Sequence, residues 1–317
     1  MGRDPARAGV PSPSWPDRST QAAGTAGRFD ALLLRGLRMT NIETSAAEAG
    51  ALRDAPAVRL PPAAGRHARA SAQHDALIAR ALEWLQEAAS QHTGQVVLSS
   101  SLGVEDMVLT DMIHRHRLEI GVATLDTGAL HPETLDLLER ARRHYDIDIE
   151  VWSPHREAVL QFVARNGAAA MYRSVALRHA CCGLRKLEPL GRMLQGRTAW
   201  ITGLRREQST QRSTVQARQV GSDGRVKFSP LVDWSLGDVW QYVADFGVPY
   251  NPLHDGFYSS IGCAPCTRAV TPGEDQRAGR WWWERDDERE CGLHVERVAA
   301  APQAEIPASA SEPGATA

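Results

Sequence analysis

The five cysteines are the side chains of this sequence with the clearest capacity for chemistry. Two are adjacent, Cys181 and Cys182 in HACCGLRK, and two form the C-x-x-C of Cys263 and Cys266. The fifth, Cys291, stands in ECGLH towards the end of the chain. Because a metal site commonly takes four thiolates, the two pairs predict a metal centre and leave Cys291 for a separate reaction.

The spacing of the paired cysteines bears on which metal group they could hold. Structural zinc sites usually use two C-x-x-C pairs, because that spacing closes around one ion. Adjacent cysteines such as Cys181 and Cys182 do not form that arrangement, but they can reach different irons of a cube. An iron–sulfur cluster is therefore favoured over zinc, with four buried structural thiols as the remaining alternative. Arg185 and Lys186 follow within a turn and would place positive charge beside an anionic cluster.

A second candidate reaction centre lies in the C-terminal stretch, where His294 follows Cys291 after two intervening residues. A cysteine near a base or a cation is typical of a reactive thiol. A lone cysteine near a chain end is more often inert, but the polar context of Cys291 favours a nucleophile. Upstream, the three tryptophans at 281–283 cannot all face one interior side. We therefore expect part of that run to cover a ligand or a partner.

Two loops that follow predicted strands have the composition of an anion-binding site. SSSLGVED joins a strand to a helix and offers the hydroxyls of Ser99, Ser100 and Ser101 beside helix N-terminal amides. LDTG, which contains Leu125 and Asp126, follows the next strand. The Ser loop alone could equally be a plain strand-to-helix turn, and LDTG alone is ambiguous. Two such loops on neighbouring strands favour a nucleotide site, although no Walker loop is present.

Cationic side chains stand close to these motifs in the sequence. They are Lys186 after the cysteine pair, Arg205 and Arg206 in ITGLRREQS, and Arg277 and Arg280 before and within RWWWE. Surface arginines are usually only solvated charge. Two adjacent guanidiniums at the end of a buried strand, however, suit phosphate or sulfate oxygens. We expect all five side chains to bind an anionic substrate.

The elements that must position these residues alternate between strands and helices. Apolar runs predict strands at 95–101, 120–126, 147–152, 198–204 and 226–231. Helical spacing and end signals predict helices at 74–91, 104–116, 132–145, 157–167 and 235–247. This alternation predicts an α/β fold with a mostly parallel, doubly wound sheet covered on both faces. Its ligand site should lie beyond the carboxyl ends of the strands.

Composition divides the chain into segments. Residues 1–70 and 299–317 are low in apolar periodicity and rich in small residues, so we expect disorder in both. Between them we expect a nucleotide-binding α/β domain at 71–260 and a cluster-binding, catalytic C-terminal segment at 261–298. Met39 opens a second candidate start, so the first 38 residues could be an extension of the gene model.

The bulk properties exclude several classes of partner. The 317-residue chain has a formal net charge of -2, which gives no support for nucleic-acid binding. There is no run of 18 apolar residues, so we predict no transmembrane helix and no membrane partner. No secretory signal is recognisable, and five cysteines in a reducing compartment indicate ligands and a reactive thiol rather than disulfides. We expect a cytoplasmic protein, and homo-oligomer formation stays open.

Taken together, the motifs resemble those of the assimilatory sulfonucleotide reductases, specifically the cluster-containing adenosine 5′-phosphosulfate (APS) reductases of bacteria. The resemblance covers about residues 75 to 297 and lies in SSSLGVED, LDTG, CCGLRK, ITGLRREQS, CAPCTR, GRWWWE and ECGLH. It implies an adenine-nucleotide alpha-hydrolase-like fold with a C-terminal catalytic segment. It also implies a [4Fe–4S] cluster on Cys181, Cys182, Cys263 and Cys266, and it makes Cys291 the nucleophile. The long N-terminal extension has no counterpart in the family pattern.

The resemblance implies thioredoxin-dependent reduction of APS to sulfite and AMP in assimilatory sulfate reduction. The Cys291 thiolate would attack the sulfonyl sulfur to give an S-sulfocysteine, and reduced thioredoxin or glutaredoxin would release sulfite. The segment carrying Cys291 would have to close and reopen. The cluster would have a structural and electrostatic role. The expected substrate-binding residues are Ser99, Ser100, Ser101, Leu125, Asp126, Lys186, Arg205, Arg206, Arg277, Arg280 and His294.

Three alternatives remain open at this point. Members that use the 3′-phosphorylated nucleotide (PAPS) commonly lack both cysteine pairs, so a PAPS or dual-specificity reductase is the first alternative. The second is an ATP pyrophosphatase or sulfurtransferase, although Met107 replaces the last Ser of its SGGxDS loop. The third is a nucleotide-binding redox sensor. Because only His131 near LDTG could carry a positive charge, we expect APS to be preferred by at least roughly tenfold in kcat/KM.

Overall fold

A six-stranded sheet forms the centre of the protein as far as the structure describes it. The structure is a computed structural model, and it describes residues 62–285. The strands are β1 (Val96–Ser100), β2 (Gly121–Leu125), β3 (Ile149–Trp152), β4 (Ala199–Ile201), β5 (Arg218–Val220) and β6 (Val226–Phe228). They lie in the order β3-β2-β1-β4-β6-β5. Every neighbouring pair is parallel except β5 with β6, as the alternation of elements predicts.

Helices cover this sheet. Within residues 62–285 they are α1 (Ala63–His67), α2 (His74–Gln91), α3 (Val104–Arg115), α4 (Pro132–Tyr145), α5 (Arg156–Asn166), α6 (Val175–Cys182), α7 (Glu188–Met193) and α8 (Leu236–Phe246). A π-helical turn, Gly183–Leu187, joins α6 to α7. The ends of α8 follow the predicted signals: the Ser235 hydroxyl accepts the Asp238 amide, and Gly247 ends the helix in a left-handed conformation.

The two faces of the sheet pack in separate cores. Val96 and Leu98 of β1 point into the larger core, which also contains apolar residues of α2, α3, α4 and α8. Val97, between them, points into a second core with Leu190 and Met193 of α7. Alternation along one strand with both faces buried is typical of a doubly wound parallel sheet. The predicted fold class is confirmed.

The strand register brings the predicted loops to one edge of the sheet. Ser100 of β1 lies opposite Thr124 of β2, and Leu98 of β1 lies opposite Ile201 of β4. The chain therefore leaves β1, β2 and β4 at the same edge, in the loops that begin with Ser101, Asp126 and Thr202. Loops at the carboxyl ends of neighbouring strands are the usual place for ligands in such sheets.

The ordered chain begins earlier than predicted. Helix α1 lies inside the stretch expected to be disordered, with Ala63 fully buried and its amide donating to Asp255 Oδ1 at 2.7 Å. The Arg69 amide donates to the Gly237 carbonyl oxygen at 3.2 Å. A five-residue helix is too short to show periodicity in sequence, and packing on α8 stabilises it instead. Residues 1–61 and 286–317 lie outside the described part, and the proposed boundary at residue 260 stays a prediction.

The prediction also missed helices α6 and α7 and strand β5. Gly183 and Pro189 interrupt the apolar pattern of the two helices, and β5 has only three residues at the sheet edge. The missed α6 carries the adjacent cysteines, so it matters for the site. In the range that the structure describes, no helix is long and apolar enough to cross a membrane.

Candidate functional site

A cavity of about 190 Å³ lies beyond the carboxyl ends of β1, β2 and β4, and is called the strand-end cavity here. Loops from all three strands line it, together with the π-helical turn and the chain from residue 254 to 281. The structure thus brings together residues from six distant parts of the sequence. The predicted substrate-binding residues among them are Ser99, Ser100, Ser101, Leu125, Lys186, Arg277 and Arg280.

The Ser loop is organised around a carboxylate rather than left open for an anion. The backbone amide and hydroxyl of Ser101 donate to Asp106 Oδ2 at 2.6 and 2.7 Å. The Gly203 amide donates to Asp106 Oδ1 at 3.0 Å, so Asp106 ties the end of β1 to the end of β4. Burial raises the pKa of Asp106 to about 6, against the effect of the Ser101 hydrogen bonds. This side of the cavity is a poor place for a phosphate or sulfate.

Glu105 adds a second carboxylate to the same wall. It accepts hydrogen bonds at 3.0 Å from Arg205 Nε and from Gln208 Nε2. Burial alone would raise the pKa of Glu105, but the Arg205 charge and these hydrogen bonds hold it below its ordinary value. Arg205 is fully buried and does not line the cavity. The structure thus places Arg205 as a partner of Glu105 and not as the predicted ligand of an anionic substrate.

Two further predicted residues lie outside the cavity wall. Arg206 is exposed and donates to Asp233 and to the Val215 carbonyl oxygen. The backbone at Arg205 is extended, so the side chains of Arg205 and Arg206 point in opposite directions. Asp126 accepts the Gly128 amide at 2.9 Å in a turn, where Gly128 has φ +65°. Sequence position alone could not distinguish these local roles from contact with substrate.

Three of the predicted cations, Lys186, Arg277 and Arg280, line the strand-end cavity and are called the cationic wall here. Arg280 is buried, and its Nη1 donates to the Ile261 carbonyl oxygen at 3.2 Å. A Cβ atom at Gly262 would overlap Arg280 Nη2, so glycine is needed for this approach. The carboxylates of the cavity thus come from the segment after β1, and these cations come from later segments.

Two further side chains with nitrogen groups line this cavity, His254 and Arg212. His254 Nδ1 lies 2.7 Å from the Tyr258 carbonyl oxygen, which can only accept, so Nδ1 carries the proton. Burial lowers the pKa of His254 to about 4, which keeps the ring neutral. Arg212 lines the cavity with 8% of its surface exposed. Sequence reasoning missed His254, which stands in no motif, whereas Arg212 follows ITGLRREQS by three residues and needs the fold to bring it here.

A second cavity, of about 110 Å³, contains all four paired cysteines and is called the cysteine cavity here. Cys181 and Cys182 end helix α6, and Cys263 and Cys266 flank a short 3₁₀ turn, Ala264–Cys266. The turn is held by the Ala264 amide, which donates to the Ala129 carbonyl oxygen at 2.8 Å. None of the four forms a disulfide, and all four are buried.

The charged side chains that line the cysteine cavity are cations. They are Arg178, Arg185 and Lys186, and among the described residues no carboxylate or histidine lines it. The Thr127 hydroxyl lies 3.2 Å from Cys263 Sγ, and Arg185 donates to the Thr127 carbonyl oxygen at 2.6 Å. Burial raises the pKa of Cys181, with Arg185 opposing the shift. Burial and the neighbouring Cys263 raise the pKa of Cys266 to about 11. A group that binds these sulfurs as thiolates must therefore supply positive charge itself.

Trp281 stands between the two cavities and lines both. It is 1% exposed and adopts a left-handed φ of 45°, which is rare for an aromatic residue. Three guanidiniums lie around its ring: Arg280 at 4.6 Å, Arg178 at 4.7 Å and Arg277 at 5.9 Å from the centroid. Trp282, by contrast, is 37% exposed, so the run of tryptophans divides between interior and surface as expected.

The four sulfurs share a cavity without forming a single-ion site. Within residues 62–285, no three His, Cys, Asp or Glu side chains are arranged so that they could hold a metal ion. The four thiols nevertheless have the ligand type and number of a larger group bound through thiolate sulfur. Cys291 and His294, the proposed nucleophile and its neighbour, lie outside the described residues.

Comparison with known proteins bears on this arrangement. Residues 95–269 match the family described as Phosphoadenosine phosphosulfate reductase domain. A protein of Allochromatium vinosum named adenosine 5′-phosphosulfate reductase is 51% identical over 222 residues, which is 70% of this chain and 86% of that protein. One of the same name from Burkholderia cepacia is 49% identical over 209 residues, 66% of this chain and 84% of its own.

A solved structure agrees with these sequence relationships. The phosphoadenylyl-sulfate (PAPS) reductase of Candida auris, in a phosphate complex, is 25% identical with a TM-score of 0.51. The match covers 64% of this chain and all of that one. The family match extends over the loops after β1, β2 and β4 and over both cysteine pairs, and it ends before Arg277, Arg280 and Trp281 of the strand-end cavity. The chain belongs to the phosphoadenosine phosphosulfate reductase domain family, the sulfonucleotide reductases.

Proposed function

We propose that this protein reduces APS to sulfite and AMP with electrons from a reduced thioredoxin or glutaredoxin. The observation that carries the proposal is the pairing of two adjoining cavities, one polarised for a nucleotide with an anionic end and one lined by four cysteines. Relatives at about half identity over most of their length are named for APS reduction. The thiol chemistry of the proposed reaction requires a reducing compartment, which supports a cytoplasmic place of action.

The charge distribution of the strand-end cavity supports one orientation of the nucleotide. Glu105 and Asp106 would repel a sulfonyl or phosphate group but can accept hydrogen bonds from ribose hydroxyls or an adenine amino group. The phosphosulfate then lies at the other wall, where Lys186, Arg277 and Arg280 can neutralise its oxygens. The Ser loop and Leu125 belong to the nucleoside end in this orientation.

The reaction requires one nucleophile and an anionic leaving group. The Cys291 thiolate attacks the sulfur of APS, a sulfur–sulfur bond forms, and the sulfur–oxygen bond breaks so that AMP leaves with the electron pair. A thiolate of the reductant then attacks Cys291 Sγ, and sulfite leaves with the electrons of the sulfur–sulfur bond. The second thiol of the reductant resolves the mixed disulfide and frees Cys291. The cationic wall stabilises the charge that develops on the sulfonyl and phosphate oxygens.

Cys181, Cys182, Cys263 and Cys266 are the residues that would hold a [4Fe–4S] cluster. Four thiols that line one cavity match an iron–sulfur cluster in ligand type and number. When bound, such a cluster would supply a structural link and a fixed charge beside the strand-end cavity. Arg185 and Lys186 would offset its negative charge, whereas Arg178 is paired with Glu284.

The choice between APS and PAPS requires a revised argument. The sequence near LDTG offers no cation for a 3′-phosphate, but the fold places Arg212 in the wall of the strand-end cavity. The lack of a cation near LDTG in the sequence therefore does not exclude a cation near the ribose in the fold. What supports APS is the presence of all four paired cysteines and the carboxylates Glu105 and Asp106 at the proposed nucleoside end. A PAPS or dual-specificity reductase stays the second candidate, because the matched family is described by PAPS.

Steady-state turnover tests the proposal. Purified protein, reduced thioredoxin and APS should yield AMP and sulfite in equal amounts, and Cys291→Ser should yield neither while its iron content is unchanged. The same assay with PAPS separates the second candidate. Turnover of neither nucleotide by the iron-loaded protein would favour a nucleotide-binding redox sensor, and appreciable turnover by Cys291→Ser would exclude Cys291 as nucleophile.

A further inference from the structure

Arg178 and Glu284 form a buried, two-pronged ion pair beside the cysteine cavity. Arg178 Nε donates to Glu284 Oε1 at 3.0 Å, and Nη2 donates to Oε2 at 2.7 Å. The two side chains are 0% and 2% exposed. Arg178 lies on α6, one turn before Cys181, whereas Glu284 lies near the C-terminal end of the described chain. The pair therefore joins the cysteine-bearing helix to the segment that continues towards Cys291.

The surroundings of the pair extend this connection to both cavities. The Arg178 guanidinium stacks on the Trp281 ring at 4.7 Å, and the Glu284 amide donates to the Trp281 carbonyl oxygen at 2.9 Å. Trp281, like Lys186 and Cys263, lines both the strand-end cavity and the cysteine cavity. Helix α6, the turn at 281–284 and the shared wall are thus held as one unit.

A buried ion pair is a weak way to gain stability. Removing two charges from water costs about as much as their attraction returns, so apolar side chains of similar size often stabilise a core equally well. What an arginine–carboxylate fork supplies is a fixed distance and direction between two segments. This fork joins helix α6 to the chain that leads to the proposed nucleophile. The direction that it fixes between these two segments is therefore its relevant property.

Glu284 is close enough to Cys291 in the sequence for its position to restrict that of Cys291. Cys291 follows Glu284 by seven positions in the sequence, with six residues between them. Because an extended chain spans at most about 3.5 Å per residue, the position of Glu284 confines Cys291 to a radius of roughly 25 Å. Attack on the substrate sulfur demands far finer placement, since a misplacement of about 1 Å can cost about 100-fold in rate.

We propose that the Arg178–Glu284 pair is a positioning element, which fixes the segment carrying Cys291 relative to the cationic wall of the strand-end cavity. The inference rests on the proposed function and adds two residues to it. Neither residue touches substrate. They act through the turn at 281–284 and through Trp281.

Three variants and a control test this role. E284Q keeps the shape but removes the charge, and R178K keeps the charge but removes the fork. The double variant R178M with E284M replaces the pair by apolar side chains. E83Q, in the exposed pair of Arg80 with Glu83, is the control. For each protein we would measure iron content, Tm, hydrogen exchange of the amides at 281–284, and the rate of SO₃ transfer from APS to Cys291 in a single turnover without reductant.

We expect E284Q and R178K to keep their iron but to transfer SO₃ about 30- to 100-fold more slowly, with faster exchange at 281–284. The double variant should have a Tm close to that of the wild type but a slow transfer rate. Apolar packing restores stability, but it does not restore the fixed direction between the two segments. E83Q should match the wild type in every measurement.

Two results would overturn the inference. One is a transfer rate in E284Q and R178K within about twofold of wild type. The other is a double variant that regains rate together with Tm, which would make the pair merely stabilising. If the wild type itself transfers no SO₃, the proposed function fails separately. The exchange data then decide alone, and unchanged exchange at 281–284 in all variants would disprove the tie.

Discussion

The strand-end cavity and the cysteine cavity share Lys186, Cys263 and Trp281 but differ in the charges that line them. The strand-end cavity is lined by carboxylates as well as cations, which suits a ligand with a neutral end and an anionic end. The cysteine cavity is lined by four thiols and three cations, one of which is paired with Glu284, and this suits a group bound through thiolate sulfur. Because the two cavities share these residues, charge bound in one would act on a ligand in the other.

The largest effect is expected from a substitution that disrupts the cysteine cavity. Cys263→Ala should lose iron and sulfide completely and lower the Tm, because the cluster ties α6 to the turn at Ala264–Cys266, about 80 residues away in sequence. Iron and acid-labile sulfide analysis with thermal unfolding checks this. Cys291→Ser is the matched control and should keep both. Purified wild-type protein with one zinc and no iron would contradict the prediction.

The next effect concerns the acidic wall and depends on pH. The pKa of Asp106 is about 6 in the folded protein and 3.8 when exposed, so the folded state binds more protons between those values. Its contribution to stability therefore falls as pH rises through this window, by about 3 kcal/mol at most, and stays low above it.

Urea unfolding of wild type and Asp106→Asn from pH 4 to pH 8 measures this contribution. The asparagine variant cannot titrate, so the difference in unfolding free energy between the two proteins should shift against the wild type as pH rises to about 6. The difference should then stay constant. A difference that does not change with pH would show that Asp106 is already ionised at pH 4.

A third prediction compares two arginines that the sequence does not distinguish. Arg277→Ala removes a cation from the wall of the strand-end cavity and should lower kcat/KM for APS about 100-fold, or about 2.7 kcal/mol. Arg206→Ala removes an exposed arginine bound to Asp233 and should change kcat/KM by less than about twofold. Iron content should be normal in both. Equal losses would mean that the cavity wall is assigned wrongly.

The smallest expected effect is the choice of nucleotide. We expect APS to exceed PAPS in kcat/KM by at least about tenfold, or about 1.4 kcal/mol, because a 3′-phosphate would meet the carboxylates of the nucleoside end. Both nucleotides would be compared with the same thioredoxin. Arg212 is the residue that could offset this repulsion, and equal values for the two nucleotides would assign it that role.

The elements that sequence predicted well are those with strong local signals. Helices α2 and α4 occur at the predicted residues, and α8 has the predicted caps, because periodicity, Pro132 and Ser235 specify them locally. That Cys181 and Cys263 meet in one cavity could be predicted from the residue type and from the presence of four paired cysteines. These features needed no knowledge of packing.

What the sequence could not give depends on side-chain direction and on long-range contacts. Arg205 and Arg277 are both arginines beside a motif. Only the fold shows that Arg205 pairs with Glu105 whereas Arg277 lines the strand-end cavity. His254 comes to the cavity through contacts of α1 and α8 that no motif encodes. The sequence predicted that the loop containing Asp106 binds an anion. In the structure the Asp106 carboxylate itself accepts the hydrogen bonds that the loop donates.

The most direct test of the account is the mass of the protein after one turnover. Iron-loaded protein mixed with APS and no reductant should release one AMP per chain and gain the mass of one SO₃ group, and peptide mapping should place that group on Cys291. Reduced thioredoxin should then remove it as sulfite. AMP release without an adduct, or an adduct on any other cysteine, would contradict the account.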